Sequence, residues 1–278
     1  MTYYQILWYF MIYSFFGWVI EVIFHAVKCG KIINRGFLNG PLCPVYGFGV
    51  LAVLALTESM DHAGTAGLNF WQLFLVGIVF ATLVELIAGW LLDKLFHARW
   101  WDYSNKKFNF HGYICPQFSV IWGLAIVGVV DILQPFMKEN AASRGIPERI
   151  GWPVLAVLYA AFFADLIVTV MIVNDMNKRL KDLDQIQSSM RIVSDGLSNA
   201  IGSRAIKTSQ RIGEREVQAS LAKAELKNAA EQKRAEIHQK LLKNRVFGSR
   251  RLIRAFPDLT PHEHLESFKE LKRLVEEK

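Results

Sequence analysis

Long apolar stretches alternate with short polar ones through the first part of the chain. Five windows consist mostly of apolar residues, at positions 5–27, 41–57, 70–96, 115–133 and 152–173. A helix needs about 20 such residues to cross a bilayer, because the hydrocarbon offers no water to a broken backbone. The pattern therefore predicts an all-α membrane protein whose transmembrane domain, residues 1–174, has five transmembrane helices.

The hydrophobic pattern changes after the fifth window. Over residues 176–201 apolar side chains recur every three or four positions for about three heptads, which favours a helix with a coiled-coil seam. A second stretch, 214–245, is rich in Ala, Glu, Lys and Arg and contains the i,i+4 pair Glu236 and Lys240. We predict a long cytosolic helical tail over 175–247, through which the chain pairs with itself or with another protein.

A basic linker and a short C-terminal helix are predicted over 248–278. Thr260-Pro261-His262-Glu263 has the form of a capping box, so the last helix should begin there. For the basic segment before it, three interpretations compete: nucleic-acid binding, docking on anionic lipid headgroups, and a solvated helical stalk. Mixed charge and the lack of a recognised module disfavour nucleic acid, whereas basic side chains near an anionic surface are attracted to it. The basic residues are Arg245, Arg250, Arg251 and Arg254.

Two parts of the apolar region follow the same order of features. Each has a helix with one glutamate, Glu21 or Glu85, then a basic loop, then a polar-Gly-x-x-Cys-Pro sequence, at 39–44 and 111–116. Proline suits a first helical turn, where its missing N–H has no partner, and the free amides of that turn favour anions. We predict two parallel helix-pair repeats related by a pseudo-two-fold axis along the membrane normal, with the fifth helix following them.

Three acidic side chains lie well inside the predicted spans, away from their ends: Glu21, Glu85 and Asp165. A carboxylate at mid-helix costs roughly 2.5–3.5 kcal/mol in the membrane, so these acids should face a bundle interior or a wet cavity. One hypothesis is an ion, proton or polar-substrate site between the repeats. The alternative is that each glutamate is a protonated or hydrogen-bonded helix-packing element, for instance one that binds a first-turn amide of the second or fourth helix. The candidate site also includes residues near the mouths of the second and fourth helices: Asn39, His111, Tyr46 and Gln117.

Charge divides the chain at the same place as hydropathy. Residues 1–173 contain ten basic and ten acidic residues, so the net charge of +7 comes from the tail. Loops one and three and the start of the tail carry most Lys and Arg near the spans, which predicts an outside N-terminus and a cytoplasmic C-terminus. The first window is an unlikely signal peptide, because no basic residue precedes Lys28. The three cysteines fall at predicted cytoplasmic helix ends, which favours free thiols.

Metal binding and catalysis are the other chemistries considered. His25, His111 and Cys43 could hold a soft metal, but no C-x-x-C or H-E-x-x-H spacing supports it, so no metal or cofactor is predicted. A Cys–His pair would suit an enzyme that acts on lipid through Cys115 or His111. The dipeptide Trp100-Trp101 is predicted to lie at headgroup depth as an interfacial aromatic belt.

Two segments resemble the signatures of a known family. The sequence RGFLNGPLCPVYGFG at 35–49 is similar to that of bacterial integral membrane proteins described as putative ABC-transporter type IV, a CmpB-type, permease-like family. A second signature is resembled by Trp101-Asp102-Tyr103-Ser104, Phe108-Asn109, Gly112 and Trp122-Gly123. The likeness covers about residues 10–175 and implies a permease. Because this chain has no G-x-x-x-x-G-K-[ST] loop, an ATPase would be a separate subunit.

Two functional hypotheses from different classes follow. The leading one is a transporter-like or permease-like protein of the bacterial plasma membrane, in which the intramembrane acids carry protons or bind a cation. The alternative is a non-transporting membrane scaffold or sensor, whose helical tail recruits a cytosolic partner.

Overall fold

The structure is a computed structural model that describes residues 1–62, 68–140, 147–205, 224, 228 and 247–276. The described part is mostly helical, with two short strands, β1 (Ala98–Arg99) and β2 (Thr260–Pro261). A π-helical turn, Val129–Leu133, joins the fourth and fifth helices. The helices are α1 (Tyr3–Cys29), α2 (Pro44–His62), α3 (Phe70–Phe96), α4 (Pro116–Gly128), α5 (Gln134–Asn140), α6 (Glu148–Ala205), α7 (Phe247–Ala255) and α8 (Leu265–Glu276).

Among the described residues, four helical stretches are long and apolar enough to cross a membrane, judged by length and composition: Tyr3–Val27, Phe70–Phe96, Pro116–Met137 and Glu148–Asp182. The helix α2 contains a shorter apolar stretch, Pro44–Ser59. The predicted helical membrane protein is thus confirmed, while the second of the five predicted spans, at α2, stays a prediction.

The helix α6 continues without a break from the predicted fifth span to Ala205. The first part of the predicted tail is therefore helical as far as this residue, while the tail as a cytosolic domain stays a prediction. Its coiled-coil pairing stays a prediction. The second predicted stretch, 214–245, lies outside the described residues except for positions 224 and 228.

The two helices that carry the glutamates begin and end in the same way. Both α1 and α3 have 27 residues, and each begins with a capping box, from Thr2 in α1 and from Asn69 in α3, with a glutamine at the third helical position. Each ends on a left-handed residue, Gly30 (φ 66°) or His97 (φ 50°). These caps satisfy backbone groups that a helix end leaves open.

The chain forms two compact units, Met1–Asn174 with Gly248–Glu263, and Asp175–Phe247 with His264–Lys278. In the first unit α1 packs on α2, α3 packs on α4, and α2 also contacts α3. In the second unit His264 Nδ1 lies 2.9 Å from Asp184 Oδ2. The centre of the first unit is an apolar cluster of Tyr9, Tyr13, Val50, Val53, Leu54, Leu73, Ile126 and Val127.

Glycines allow close approach within both helix pairs. A Cβ on Gly47 would lie 2.4 Å from Ser14 Oγ, at the crossing of α1 and α2. A Cβ on Gly77 would lie 2.9 Å from Ile126 Cβ, at the crossing of α3 and α4. Small residues at such crossings bring the helix backbones into contact, which is how membrane helices gain packing energy.

The predicted start of the last helix at Thr260 is wrong. Thr260 and Pro261 form β2, which pairs antiparallel with β1 in the register Ala98 to Pro261 and Arg99 to Thr260. The His262 N–H also donates to the His97 carbonyl at 2.9 Å. This long-range pairing takes the backbone that the capping sequence would have used, so the helix begins only at Leu265.

Candidate functional site

The carboxylate of Glu21, on α1, contacts two side chains from other parts of the first unit. The Tyr46 hydroxyl donates to Glu21 Oε1 at 2.7 Å, and Arg35 Nε lies 3.7 Å from Oε2. The Glu21 side chain is 27% exposed, so its ion pair with Arg35 is partly accessible to solvent. Tyr46 reaches the carboxylate because its ring lies directly against Gly17, one helical turn before Glu21.

Gly17→Ala should displace Tyr46 and destabilise the protein. An added Cβ would lie 2.3 Å from Tyr46 Cγ and 2.4 Å from its Cβ, closer than real atoms approach. Overpacking of this kind costs about 1–3 kcal/mol. The matched control is Gly49→Ala on α2, where nothing lies within 4 Å and where the substitution should be neutral or stabilising by up to about 1 kcal/mol. Thermal unfolding of the purified protein in detergent measures both, and equal midpoints would contradict the described packing.

Glu85, on α3, is buried at 8% exposure and receives two hydrogen bonds. The Tyr103 hydroxyl donates to Oε1 at 3.1 Å, and Trp122 Nε1 on α4 donates to Oε2 at 3.2 Å. The Tyr103 ring stacks on Phe118, with centroids 4.8 Å apart. Both carboxylate oxygens are thus held by aromatic side chains that are themselves fixed by packing.

The aromatic side chains that bind the two glutamates also contact each other. The ring of Tyr46, which binds Glu21, meets the ring of Trp122, which binds Glu85, edge to face at 5.5 Å. Burial raises the pKa of Tyr103, and the negative charges of Glu85 and of Glu21 raise it further. The two carboxylates also interact electrostatically with each other. Like charges in a low-dielectric setting repel each other.

Asp165 and Asn39 contact each other in a second network. Asp165, on α6, accepts hydrogen bonds from Asn39 N at 3.2 Å, Asn39 Nδ2 at 2.9 Å and Gly40 N at 2.7 Å. Asn39 Nδ2 also donates to Thr169 at 3.0 Å. The contacts of Asp165 are therefore with the loop before α2, whereas those of Glu21 and Glu85 are with the aromatic cluster.

Arg251 completes this second network from the distant C-terminal segment. Its Nε donates to Asn39 Oδ1 at 3.1 Å, and its two terminal nitrogens donate to the carbonyls of Gly36 at 2.7 Å and Phe37 at 2.8 Å. Burial lowers the pKa of the Arg251 guanidinium, and the negative charge of Asp165 opposes that shift. A planar guanidinium fork suits three acceptors arranged in this way.

The interpretation of residues 248–256 as part of a solvated stalk is wrong. The helix α7 buries Leu252, Ile253 and Ala255 completely or nearly so, and Arg251 binds the loop before α2. A sequence pattern of basic residues is the same whether the side chains are solvated or bind acceptors inside the protein. The charge pattern therefore could not distinguish a solvated segment from a packed one.

Another acidic residue, Asp93 near the end of α3, contacts the C-terminal segment. Tyr113 donates to Asp93 Oδ2 at 2.5 Å, and His262 Nε2 hydrogen-bonds to Oδ1. Arg99 Nε lies 3.9 Å from Oδ2. These contacts tie β2 to α3.

The predicted aromatic belt at Trp100-Trp101 is also wrong for Trp100. This residue is only 3% exposed, and its ring meets Phe37 at 4.9 Å and Phe256 at 5.0 Å, both edge to face. Trp101 Nε1 donates to the Tyr113 carbonyl at 2.9 Å. A double tryptophan after a membrane helix is typical of an interface, but here the C-terminal segment covers it.

Two predicted site residues lie on the surface of the first unit. His111 is exposed, has a left-handed backbone (φ 50°) and places its ring edge to face against Phe110 at 4.7 Å. Gln117 is exposed in the first turn of α4. Cys43 and Cys115 are buried and free, and within the described ranges no group of three or more His, Cys, Asp or Glu is placed to hold a metal ion.

The sequence profile of one protein family matches residues 8–170, more than half of the chain and all of the glutamate and aspartate sites described above. The chain belongs to the putative ABC-transporter type IV family. Comparison with curated proteins and with solved structures gives no match. The type IV family and the four long apolar helices together make the protein an ABC-transporter-like membrane protein, which favours a non-enzymatic role.

Sequence reasoning missed the aromatic residues that hold Glu85 and the arginine that holds Asn39. Tyr103 and Trp122 lie in the second signature of the type IV family, so the signal was present in the motif itself. Arg251 lies outside the matched region, and only the folded chain brings it to the loop.

Proposed function

We propose that the protein is a transporter-like permease component of the bacterial plasma membrane, in which Glu21 and Glu85 form one binding site for a proton or cation. The observation that carries this proposal is the shared aromatic cluster. Tyr46 binds Glu21, Trp122 binds Glu85, and the two rings touch. Arg35 lies 3.7 Å from Glu21, whereas Glu85 is buried and feels the negative charge of Glu21, so a proton or cation beside Glu85 would offset the repulsion between the two carboxylates.

The proposed site lies between two parallel helix pairs, α1 with α2 and α3 with α4. Their equal lengths, their similar caps and the glycines at both crossings support a repeat. In this proposal α2 is also a transmembrane helix, which brings their number to five, the N-terminus faces outside and the tail is cytoplasmic. The first-turn amides of α2 and α4 would then receive an anionic group at the cytoplasmic face.

Asp165 and Asn39 form the rim of the proposed pathway. Their mutual hydrogen bonds fix the loop before α2, and Arg251 fixes its other side. His111 and Gln117, being exposed, would act only at the entrance. A separate ATPase subunit, pairing of the tail with a second copy, and contact of the tail with anionic headgroups complete the proposal, and nucleic acid has no part in it.

Reconstituted full-length protein tests this function. Proteoliposomes carrying a pH-sensitive dye inside should report proton movement when a membrane potential is imposed and Na⁺, K⁺ or an organic ammonium ion is supplied outside. We expect a saturable flux above that of empty liposomes for at least one of these ions. Flux equal to that of empty liposomes under every condition would contradict the proposal.

One observation favours the scaffold or sensor as a second candidate. Residues 248–263 contact both the loop before α2, through Arg251, and the loop after α3, through β2. A tail connected to this segment could report the state of the helix pairs to a cytosolic partner. Removing residues 265–278 leaves the docked segment in place, so a transporter should keep its flux in this truncation. A scaffold should lose capture of its partner and have no flux in either form.

A further inference from the structure

The segment between α3 and α4 has a tip at which exposed aromatic rings adjoin basic side chains. Phe108 is 89% exposed and Phe110 is 54% exposed. Lys106 and Lys107, directly before them, are exposed as well. We call residues 104–111 the Phe108 loop. Exposed apolar side chains next to positive charges are typical of a surface that contacts another phase or molecule.

Hydrogen bonds hold the Phe108 loop in one shape. Asn109 Nδ2 donates to the carbonyls of Ser104 at 3.1 Å and Lys106 at 2.8 Å, and Asn109 Oδ1 accepts from Gly112 N at 3.0 Å. Phe108 has a left-handed backbone (φ 56°), which a bulky residue adopts only where its surroundings impose it. The fold therefore fixes the outward direction of Phe108.

The same segment is anchored to the membrane helices. Tyr103, immediately before the loop, reaches Glu85 inside α3 at 3.1 Å. Its backbone N–H donates to the Gly112 carbonyl at 2.9 Å, which closes the loop at its base. Since the flanking helical stretches Phe70–Phe96 and Pro116–Met137 are both candidate membrane spans, the loop that joins them would lie at a membrane surface.

The charge of the tip is positive. The acidic residue closest in sequence, Asp102, lies 3.5 Å from Arg99 Nη1 and accepts hydrogen bonds from Ser104. Desolvation opposes ionisation of Asp102, but these hydrogen bonds and the Arg99 charge lower its pKa overall. Arg99 lies close to both Asp102 and Asp93, and within the Phe108 loop itself Lys106 and Lys107 are the only Lys, Arg, Asp or Glu residues.

We propose that the Phe108 loop is a lipid anchor for anionic phospholipids. Phe108 and Phe110 enter the interfacial layer of the adjacent leaflet, and Lys106 and Lys107 bind the phosphate-bearing headgroups beside them. Aromatic rings favour this depth, and lysine side chains extend from it toward anionic headgroups.

Photocrosslinking tests the anchor in the full-length protein. Phe108 is replaced by p-benzoylphenylalanine, and the protein is embedded in nanodiscs of phosphatidylcholine and phosphatidylglycerol in equal parts. After illumination, mass spectrometry should find lipid adducts enriched in phosphatidylglycerol. Lys106→Gln and Lys107→Gln should each reduce this enrichment about fivefold, the effect of one basic side chain near an anionic surface.

The same analogue at Phe136 is the matched control, because Phe136 is 58% exposed and belongs to α5, beyond the other end of α4. Its adducts should not respond to the lysine substitutions. Phe108 adducts with equal amounts of the two lipids, or no lipid adduct at all, would overturn the proposal. A protein adduct that replaces the lipid adduct in native membranes would overturn it in favour of a protein partner.

Discussion

Cation-linked flux should fall by about 100-fold when Glu21 and Glu85 are both replaced by glutamine. Glutamine has the shape of glutamate, and at position 21 its amide oxygen can still accept the hydrogen bond from Tyr46. At position 85 the amide oxygen can accept from Trp122, and the amide N–H can donate to the Tyr103 hydroxyl. The main change is therefore the loss of the negative charges. A charge contact in a buried site contributes about 3 kcal/mol, which corresponds to roughly 100-fold in affinity. The measurement is initial flux in proteoliposomes at a fixed ion concentration.

A carboxylate outside the proposed site provides the control for this result. Asp131 is exposed in the π-helical turn after α4, so Asp131→Asn should leave the flux unchanged. Circular dichroism should show the same helix content in all variants. Wild-type flux in the double glutamine variant would remove Glu21 and Glu85 from the mechanism, whatever the other variants do.

Arg251→Ala should cause the largest loss of stability among the substitutions outside the helix pairs. The change removes three hydrogen bonds and leaves the Gly36 and Phe37 carbonyls and Asn39 Oδ1 without this donor. Hydrogen bonds to charged groups contribute about 1.5–3 kcal/mol each, and such losses are not additive, so we expect about 2–4 kcal/mol. Thermal unfolding in detergent and the rate of proteolysis within residues 248–263 both measure it.

Two further arginine variants identify the cause of that loss. Arg251→Lys keeps the charge but cannot form the planar fork, so its stability should lie between those of the wild type and Arg251→Ala. Arg273→Ala changes an exposed arginine on α8 and should alter stability by less than about 0.5 kcal/mol. If Arg251→Ala unfolds and is cleaved like the wild type, the C-terminal segment does not hold the loop.

Much of the helical framework could be predicted from the sequence, because bilayer thickness fixes helix length and cap residues fix helix ends. The predicted window 70–96 coincides with α3, and 5–27 differs from α1 by two residues at each end. The first helix ends at Cys29, two residues after its predicted end, because Gly30 adopts the left-handed backbone that ends a helix.

The contacts of the C-terminal segment could not be predicted in the same way. The sequence around Thr260 has a correct local capping pattern, but pairing with Ala98–Arg99 overrides it. Trp100 looks like an interfacial residue until Phe256 covers it. In both cases the deciding partner lies more than 150 positions away in sequence, and no local pattern identifies such a partner.

In the candidate site, too, the acidic residues could be predicted from local pattern, whereas their partners could not. Glu21 and Glu85 stand out because a carboxylate in an apolar helix is costly and needs a partner. Their partners Tyr46, Tyr103 and Trp122 are amphipathic aromatics, which occur throughout this sequence in packing roles, so residue type alone could not select them. Asp165 was singled out for the same reason as the glutamates, yet its partner is the amide-rich turn at Asn39 and Gly40.

A double-mutant cycle on Glu21→Gln and Glu85→Gln tests most directly whether both carboxylates belong to one binding site. The free energy of cation binding, obtained from the concentration dependence of flux, is measured for the wild type, each single variant and the pair. If both side chains bind the same ion, the two effects should deviate from additivity by more than about 0.5 kcal/mol. Additive effects would mean that the glutamates act at separate places, and the proposed shared site would be wrong.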